Sequence, residues 1–317
     1  MNDPPTPIVG VRSDIWYDDG NVILQAEGTQ FRVHKSILAQ SSTVFNDMFS
    51  LPQPPAKDAE MLEGCPIVHL FDSAQEVRYI LQAIFQQKYL TFEVKMPFPV
   101  LVAFLCLGRK YDIQSLHIDA RKRLYRRFPA TLEDDDAVRY SEWVGLKPTE
   151  TGTRYIELVT LARRAELLSI LPHVLYRCCQ LYPEIITDNI SAPALPPGDQ
   201  MACMTGHRAA CISQAHTTYG WLYNGAPAAS CITQNKCSAA RQRYLLEWFT
   251  PVPSPSGLDL WSQVCGSFYS DMALCKHCVA SAQSQHEVGR ANFWEQLPSL
   301  FGLPPWTELL REREDVE

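Results

Sequence analysis

Eleven cysteines are spread unevenly through the 317 residues: Cys65 and Cys106 stand in the first part, and nine fall between Cys178 and Cys278. Cys275-Lys276-His277-Cys278 is a C-x2-C pair. Cys231 and Cys237 form a C-x5-C pair, separated from it by 37 residues. A structural zinc ion takes four ligands in a tetrahedron, typically two close pairs from distant parts of a chain. Lys236 and Lys276, next to ligand positions, favour the thiolate form. Four thiolates fill the coordination sphere and leave no place for water, so zinc here would be structural and not catalytic. Cys203, His207, Cys211 and His216 are reserve ligands. Two other chemistries fit the same residues. Free cysteine is among the most buried residue types and serves as ordinary core. Cys275 and Cys278 also have the spacing of a redox dithiol, although that motif belongs at the end of a strand in a βαβ unit and this one follows a helical pattern.

Outside the cysteines, little in the sequence points to catalysis. Asp14 and His34 are the one polar pair of the first segment with catalytic residue types. No nucleophile accompanies them, and no glycine-rich phosphate loop or metal-spaced carboxylate set is present. No residue is assigned a catalytic role, and the chain is read as a non-enzyme. Arg121-Lys122-Arg123-Leu124-Tyr125-Arg126-Arg127 packs five cations into seven residues. A basic helix can hold phosphates, but a helix C-terminus favours cations on its own account. The acids Glu133-Asp134-Asp135-Asp136 follow a few residues on, placed to neutralise the run. The net charge of −7 also argues against nucleic acid as a partner.

The elements that must hold these residues follow from periodicity. With 46% hydrophobic and 10% aromatic residues the chain can bury a core. Its longest apolar run, Val100 to Leu107, is far short of the about 18 residues that cross a membrane. Met1-Asn2-Asp3-Pro4-Pro5 has neither the basic start nor the apolar stretch of a signal peptide. Reduced cysteines without such a signal point to the cytoplasm or nucleus. Asn21–Leu24 and Phe31–His34 read as paired strands, with Glu27-Gly28-Thr29 as the turn. Two short helices follow, one with Ile37 and Leu38, the other with Val44, Phe45, Met48 and Phe49. Ile67–Phe71 reads as a strand, and Asp72-Ser73 as the cap of a helix whose stripe is Val77, Ile80, Leu81, Ile84 and Phe85. Helices are also expected over 98–108 and 114–128.

These residues carry a resemblance. Ser13-Asp14-Ile15-Trp16, the strand pair, Val33-His34-Lys35 leading into the first helix, Phe45-Asn46-Asp47-Met48-Phe49, Ile67–Phe71 and Lys110-Tyr111-Asp112-Ile113 together resemble a BTB/POZ domain. The resemblance makes Asp14, His34 and Lys35 structural signature residues, with Asp14 preceding the first strand. It implies protein partners: self-association, other BTB proteins, or a cullin-type ubiquitin-ligase scaffold. The full chain further resembles the BTB-domain proteins abundant in some fungi, which have a helical, cysteine-containing C-terminal half.

The expected fold class is α+β, a BTB/POZ fold over 12–128 followed by an all-α region. A linker is expected over 129–153 and a helical hairpin over 154–190, with Leu158, Leu161, Ala162, Ala165 and Leu168 on one face. A proline-rich linker is expected over 191–200, a helical cysteine-containing domain with a zinc staple over 201–304, and a loosely held charged tail over 305–317. An interaction module is the leading functional reading. A transcription-linked regulator and a thiol-redox protein are the alternatives.

Overall fold

A computed structural model describes residues 10–51, 60–91, 96–138, 151–188, 195–223, 225–250, 253–266 and 274–316. The chain divides into two compact units, one drawn chiefly from Met1–Arg127, the other from Phe128–Arg139 and Lys147–Asp315.

The first unit is a five-stranded sheet with helices. Its strands are β1 (Val11–Trp16), β2 (Val22–Ala26), β3 (Thr29–Val33), β4 (Met61–Leu62) and β5 (Cys65–Leu70), in the order β1-β3-β2-β5-β4. β2 and β3 form the expected hairpin, Val22 opposite Val33 and Ala26 opposite Thr29. The two turn residues, Glu27 and Gly28, both have positive φ (46° and 77°), the geometry whose twist matches flanking strands. Glycine accepts this freely, whereas Glu27 is held there while its carboxylate receives the Ala74 N–H at 3.0 Å. β5 lies parallel to β2, so the chain must cross over between them, and α1 (Lys35–Ser41) and α2 (Thr43–Ser50) lie on that connection. The Ser42 hydroxyl caps α2 by accepting the Phe45 N–H at 3.1 Å.

Helices α3 (Ala74–Gln86), α4 (Phe98–Lys110) and α5 (Gln114–Arg127) complete the unit. The apolar run Val100–Leu107 is the buried centre of α4, and among the described residues no helix is long and apolar enough to cross a membrane. Two strands escaped the sequence reading. β4 is two residues long, and β1 contains Asp14, which was expected to precede the first strand. Phe71, expected to end the third strand, lies just beyond β5 and is 98% exposed. Ser73 makes no side-chain cap to α3; Glu27 supplies that bond.

The second unit is helical. It contains α6 (Leu132–Val138), α7 (Thr151–Ala165), α8 (Leu171–Asp188), α9 (Pro197–His216), α10 (Gly220–Tyr223), α11 (Gln234–Phe249), α12 (Trp261–Gly266), α13 (Lys276–Leu300) and α14 (Trp306–Leu309). The stretch read as a linker over 129–153 thus holds a helix, α6, and the start of α7; residues 139–150 lie outside the described ones. The acid run is not simply a counterweight to the basic helix. Asp135, fully buried, lies 3.2 Å from His173 of α8, and Asp136 pairs with Arg290 of α13. On α5, Arg121 and Tyr125 are buried, and Arg123 pairs with Asp119 at 2.9 Å. The proline-rich linker ends early, because Pro196 caps α9 and Pro197 opens it; residues 189–194 lie outside the described ones. Of the α7 stripe, Leu158, Leu161, Ala162 and Ala165 are buried, as core.

The tail is docked, contrary to expectation. Trp306 stacks on Trp294 (centroids 5.2 Å apart) and donates its indole N–H to the Trp294 carbonyl at 2.9 Å. Glu312 accepts the N–H groups of Leu168 and Ser169, and the buried Arg313 donates to the Ser169 hydroxyl at 2.8 Å. Aromatic stacking and backbone capping outweigh the charge pattern that suggested a solvated end.

His286 of α13 sits fully buried between the rings of Tyr219 and Trp261, its Nε2 2.9 Å from the Asp259 carbonyl. Burial holds its pKa down at about 4 against an ordinary value of 6.5, with Arg290 adding to the fall and the Asp259 carbonyl opposing it. As the pH drops below about 6.5, the unfolded chain takes the proton first, so this contribution to stability is present at neutral pH and fades towards pH 4. The loss amounts to about 3 kcal/mol. Urea titrations at pH 7 and pH 4.5 should show the wild type losing more stability than His286→Gln; equal losses would contradict the assignment.

Candidate metal centre

Cys231, Cys237, Cys275 and Cys278 meet, with all four sulfurs within 4.8 Å of one another. Each pair is placed by a helix start. Cys237 lies in the first turns of α11, four residues after its cap Thr233, and Cys231 precedes that cap. Cys275 is itself the cap of α13 and Cys278 lies in its first turn. Unsatisfied N–H groups and the positive end of the dipole concentrate at such positions, which favour thiolates.

The sulfurs are supplied with donors accordingly. The Cys275 N–H donates to Cys237 Sγ at 3.3 Å, the Ala228 N–H to Cys278 Sγ at 3.3 Å, and the Thr233 hydroxyl lies 3.3 Å from Cys237 Sγ. N–H groups of Cys278 and Ile232 pull the Cys275 thiol down to about 6. Burial, by contrast, pushes Cys278 up. Cys237 and Cys278 are buried; Cys231 and Cys275 are half-buried.

The geometry fits a tetrathiolate. Metal–sulfur bonds of about 2.3 Å in a tetrahedron give sulfur–sulfur edges of about 3.8 Å, and Cys231 and Cys275 stand 3.7 Å apart. An apolar and aromatic cluster of Trp221, Tyr244, Trp261 and Leu274 surrounds the buried pair. Four soft ligands suit a divalent ion of tetrahedral preference.

The reserve ligands go elsewhere. Cys203 is buried on α9, where its carbonyl accepts Cys179 Sγ at 3.3 Å. Hydrogen bonds from Cys178 and Cys179 hold its pKa down and raise theirs in return. Cys211 lies 4.0 Å from His207 and 3.5 Å from the Pro253 carbonyl, and His216 is exposed at the end of α9. On α12, Trp261 and Val264 are buried.

In the first unit the signature residues make separate contacts. Asp14 on β1 accepts two bonds from Arg78 of α3, at 2.8 and 2.6 Å, and these hold its carboxyl below the usual range. His34 is the residue before α1, with Nε2 3.3 Å from Asp19. The Lys35 N–H donates to the Asn21 side chain at 2.9 Å. Lys110 and Tyr111 converge on the carboxylate of Asp72, a corner that sequence spacing did not expose because its members lie 38 and 39 positions apart.

The family model of the BTB/POZ domain matches residues 18–126. No curated protein matches the chain. This domain is an interaction fold without catalytic machinery, and its matched span takes in β2 to α5. The chain is therefore a BTB/POZ domain-containing protein, with that domain at residues 18–126 and a helical region after it.

Proposed function

We propose that the protein as a whole is a non-enzymatic adaptor or scaffold. In this reading the BTB/POZ domain associates with itself, with other BTB proteins or with a cullin-type ligase scaffold, and the helical unit selects the partner. A structural zinc at Cys231, Cys237, Cys275 and Cys278 staples that helical unit. The observation that carries the reading is the BTB/POZ match over a unit whose polar signature residues are engaged in contacts that fix the fold. A redox dithiol would need Cys275 and Cys278 alone; the arrival of a second thiol pair favours metal. Thiolate ligands survive in a reducing compartment, the cytoplasm or nucleus.

The test is affinity purification of the tagged full-length protein from its own cells, with bound proteins identified by mass spectrometry. A cullin near one-to-one, lost on deleting the BTB/POZ domain, establishes the adaptor. Self-association or other BTB proteins without a cullin establish the scaffold. Recovery of no partner, with a monomeric mass by light scattering, would overturn both.

A further inference from the structure

Arg241 lies one turn after Cys237 on α11 and is only 3% exposed. Its Nη1 donates to the Trp221 carbonyl at 2.7 Å, and its guanidinium lies 5.7 Å from the centre of the Trp221 ring. Nε and Nη2, both buried, have no hydrogen-bond partner among the described residues. Arginine stays charged in proteins, and an uncompensated buried cation is strongly disfavoured. A carbonyl and a ring face do not supply a full negative charge. Burial lowers the pKa of Arg241, and the groups opposing that fall are Cys278, Cys237 and Cys231, in that order. Four neutral thiols would leave this cation alone in the core. A divalent ion bound by four thiolates carries two net negative charges, one of which Arg241 balances. The backbone is shaped for the contact of Arg241 with the Trp221 carbonyl: a Cβ on Gly225 would lie 2.3 Å from Arg241 Nη1 and 2.1 Å from that carbonyl, so glycine lets the chain lie against the guanidinium.

We infer that Arg241 is the built-in countercharge of a divalent metal–tetrathiolate at Cys231, Cys237, Cys275 and Cys278. This rests on the zinc reading above. Arg241 touches no ligand position of the metal; it is a positioning residue that keeps the buried sulfurs as thiolates by offsetting their charge. Such outer partners typically govern 10–100-fold of metal affinity.

The test uses the full chain as purified, its zinc content first measured by elemental analysis and its affinity by competition with a chromophoric chelator. Cobalt(II) is then loaded in place of zinc. Arg241→Met and Arg241→Gln, the second able to keep the bond to the Trp221 carbonyl, should each weaken zinc binding by about 10–100-fold. Both should also move the sulfur-to-cobalt charge-transfer band to lower energy, because thiolates without a nearby cation give up electrons more easily. Arg241→Lys, which keeps the charge, should stay close to the wild type in both readouts. A purely packing role would leave the band in place. Neutral variants with unchanged affinity and band, or unfolding of all three variants in excess zinc, would overturn the assignment of Arg241. A wild type that holds neither zinc nor cobalt would instead overturn the metal reading itself.

Discussion

Replacing Cys278 by serine is expected to abolish metal loading, from about one ion per chain to none, and to unfold the helical unit around α10, α11 and the start of α13. Cys278 is fully buried, and its sulfur accepts the Ala228 N–H. Structural zinc in small sites supplies apparent binding energies of about 10–16 kcal/mol, as large as the about 5–15 kcal/mol net stability of a typical domain. At about 2–4 °C per kcal/mol for units of this size, the melting temperature of the helical unit should fall by more than about 10 °C. A strong chelator added to the wild type should do the same. The BTB/POZ domain, which contains none of the four ligands, should keep its transition. Cys211→Ser, half-buried and outside the cluster, serves as the control and should change little. Differential scanning calorimetry with metal analysis checks the prediction. A metal-free preparation with an unchanged melting curve would sink the staple.

Arg290→Met carries the second large effect. The guanidinium makes two bonds to Asp136, at 3.0 and 2.6 Å, and two to the Leu258 carbonyl, at 3.2 and 3.1 Å. Its side chain is 7% exposed and that of Asp136 26%. Methionine fills much of the volume but removes all four of these bonds to the carboxylate and the carbonyl. Breaking a buried pair on one side costs about 3–5 kcal/mol, whereas replacing both members by apolar groups is often close to neutral. Urea unfolding should therefore show a loss of that size in Arg290→Met and substantial recovery when Asp136→Leu is added. A single variant within about 0.5 kcal/mol of wild type, the usual range for surface changes, would show that the pair is solvated in solution.

The parts of this molecule legible in its sequence are those set by near neighbours. Periodicity located the hairpin of β2 and β3, the stripe of α3 and the apolar core of α4, because each follows from residues within a turn or two. The four cysteines were also legible, since each close pair is a local signal and only their meeting, at two helix starts, needed the fold. What escaped depends on partners far along the chain. β1 exists because β3 pairs with it, and its alternation alone is weak. α6 reads as a linker whose acids neutralise the basic run until His173 and Arg290 are placed beside it. The tail reads as charged until Trp294 and Ser169 give it a surface. Arg241 carries no signature in sequence at all, because only the fold shows that its guanidinium is buried against Trp221.

The pairing of Asp136 with Arg290 also bears on how the protein is made. These residues are 154 positions apart. At about 5–20 residues per second of synthesis, Asp136 emerges about 8–30 s before Arg290. Every residue of the BTB/POZ match has by then left the ribosome, and that domain can close on itself. The opening helix of the second unit, in contrast, has its acids in place and waits for its base. Translation that stops short of residue 290 therefore releases a finished interaction domain tethered to an unclosed one, a product for chaperones and proteases to sort and not a half-length working protein.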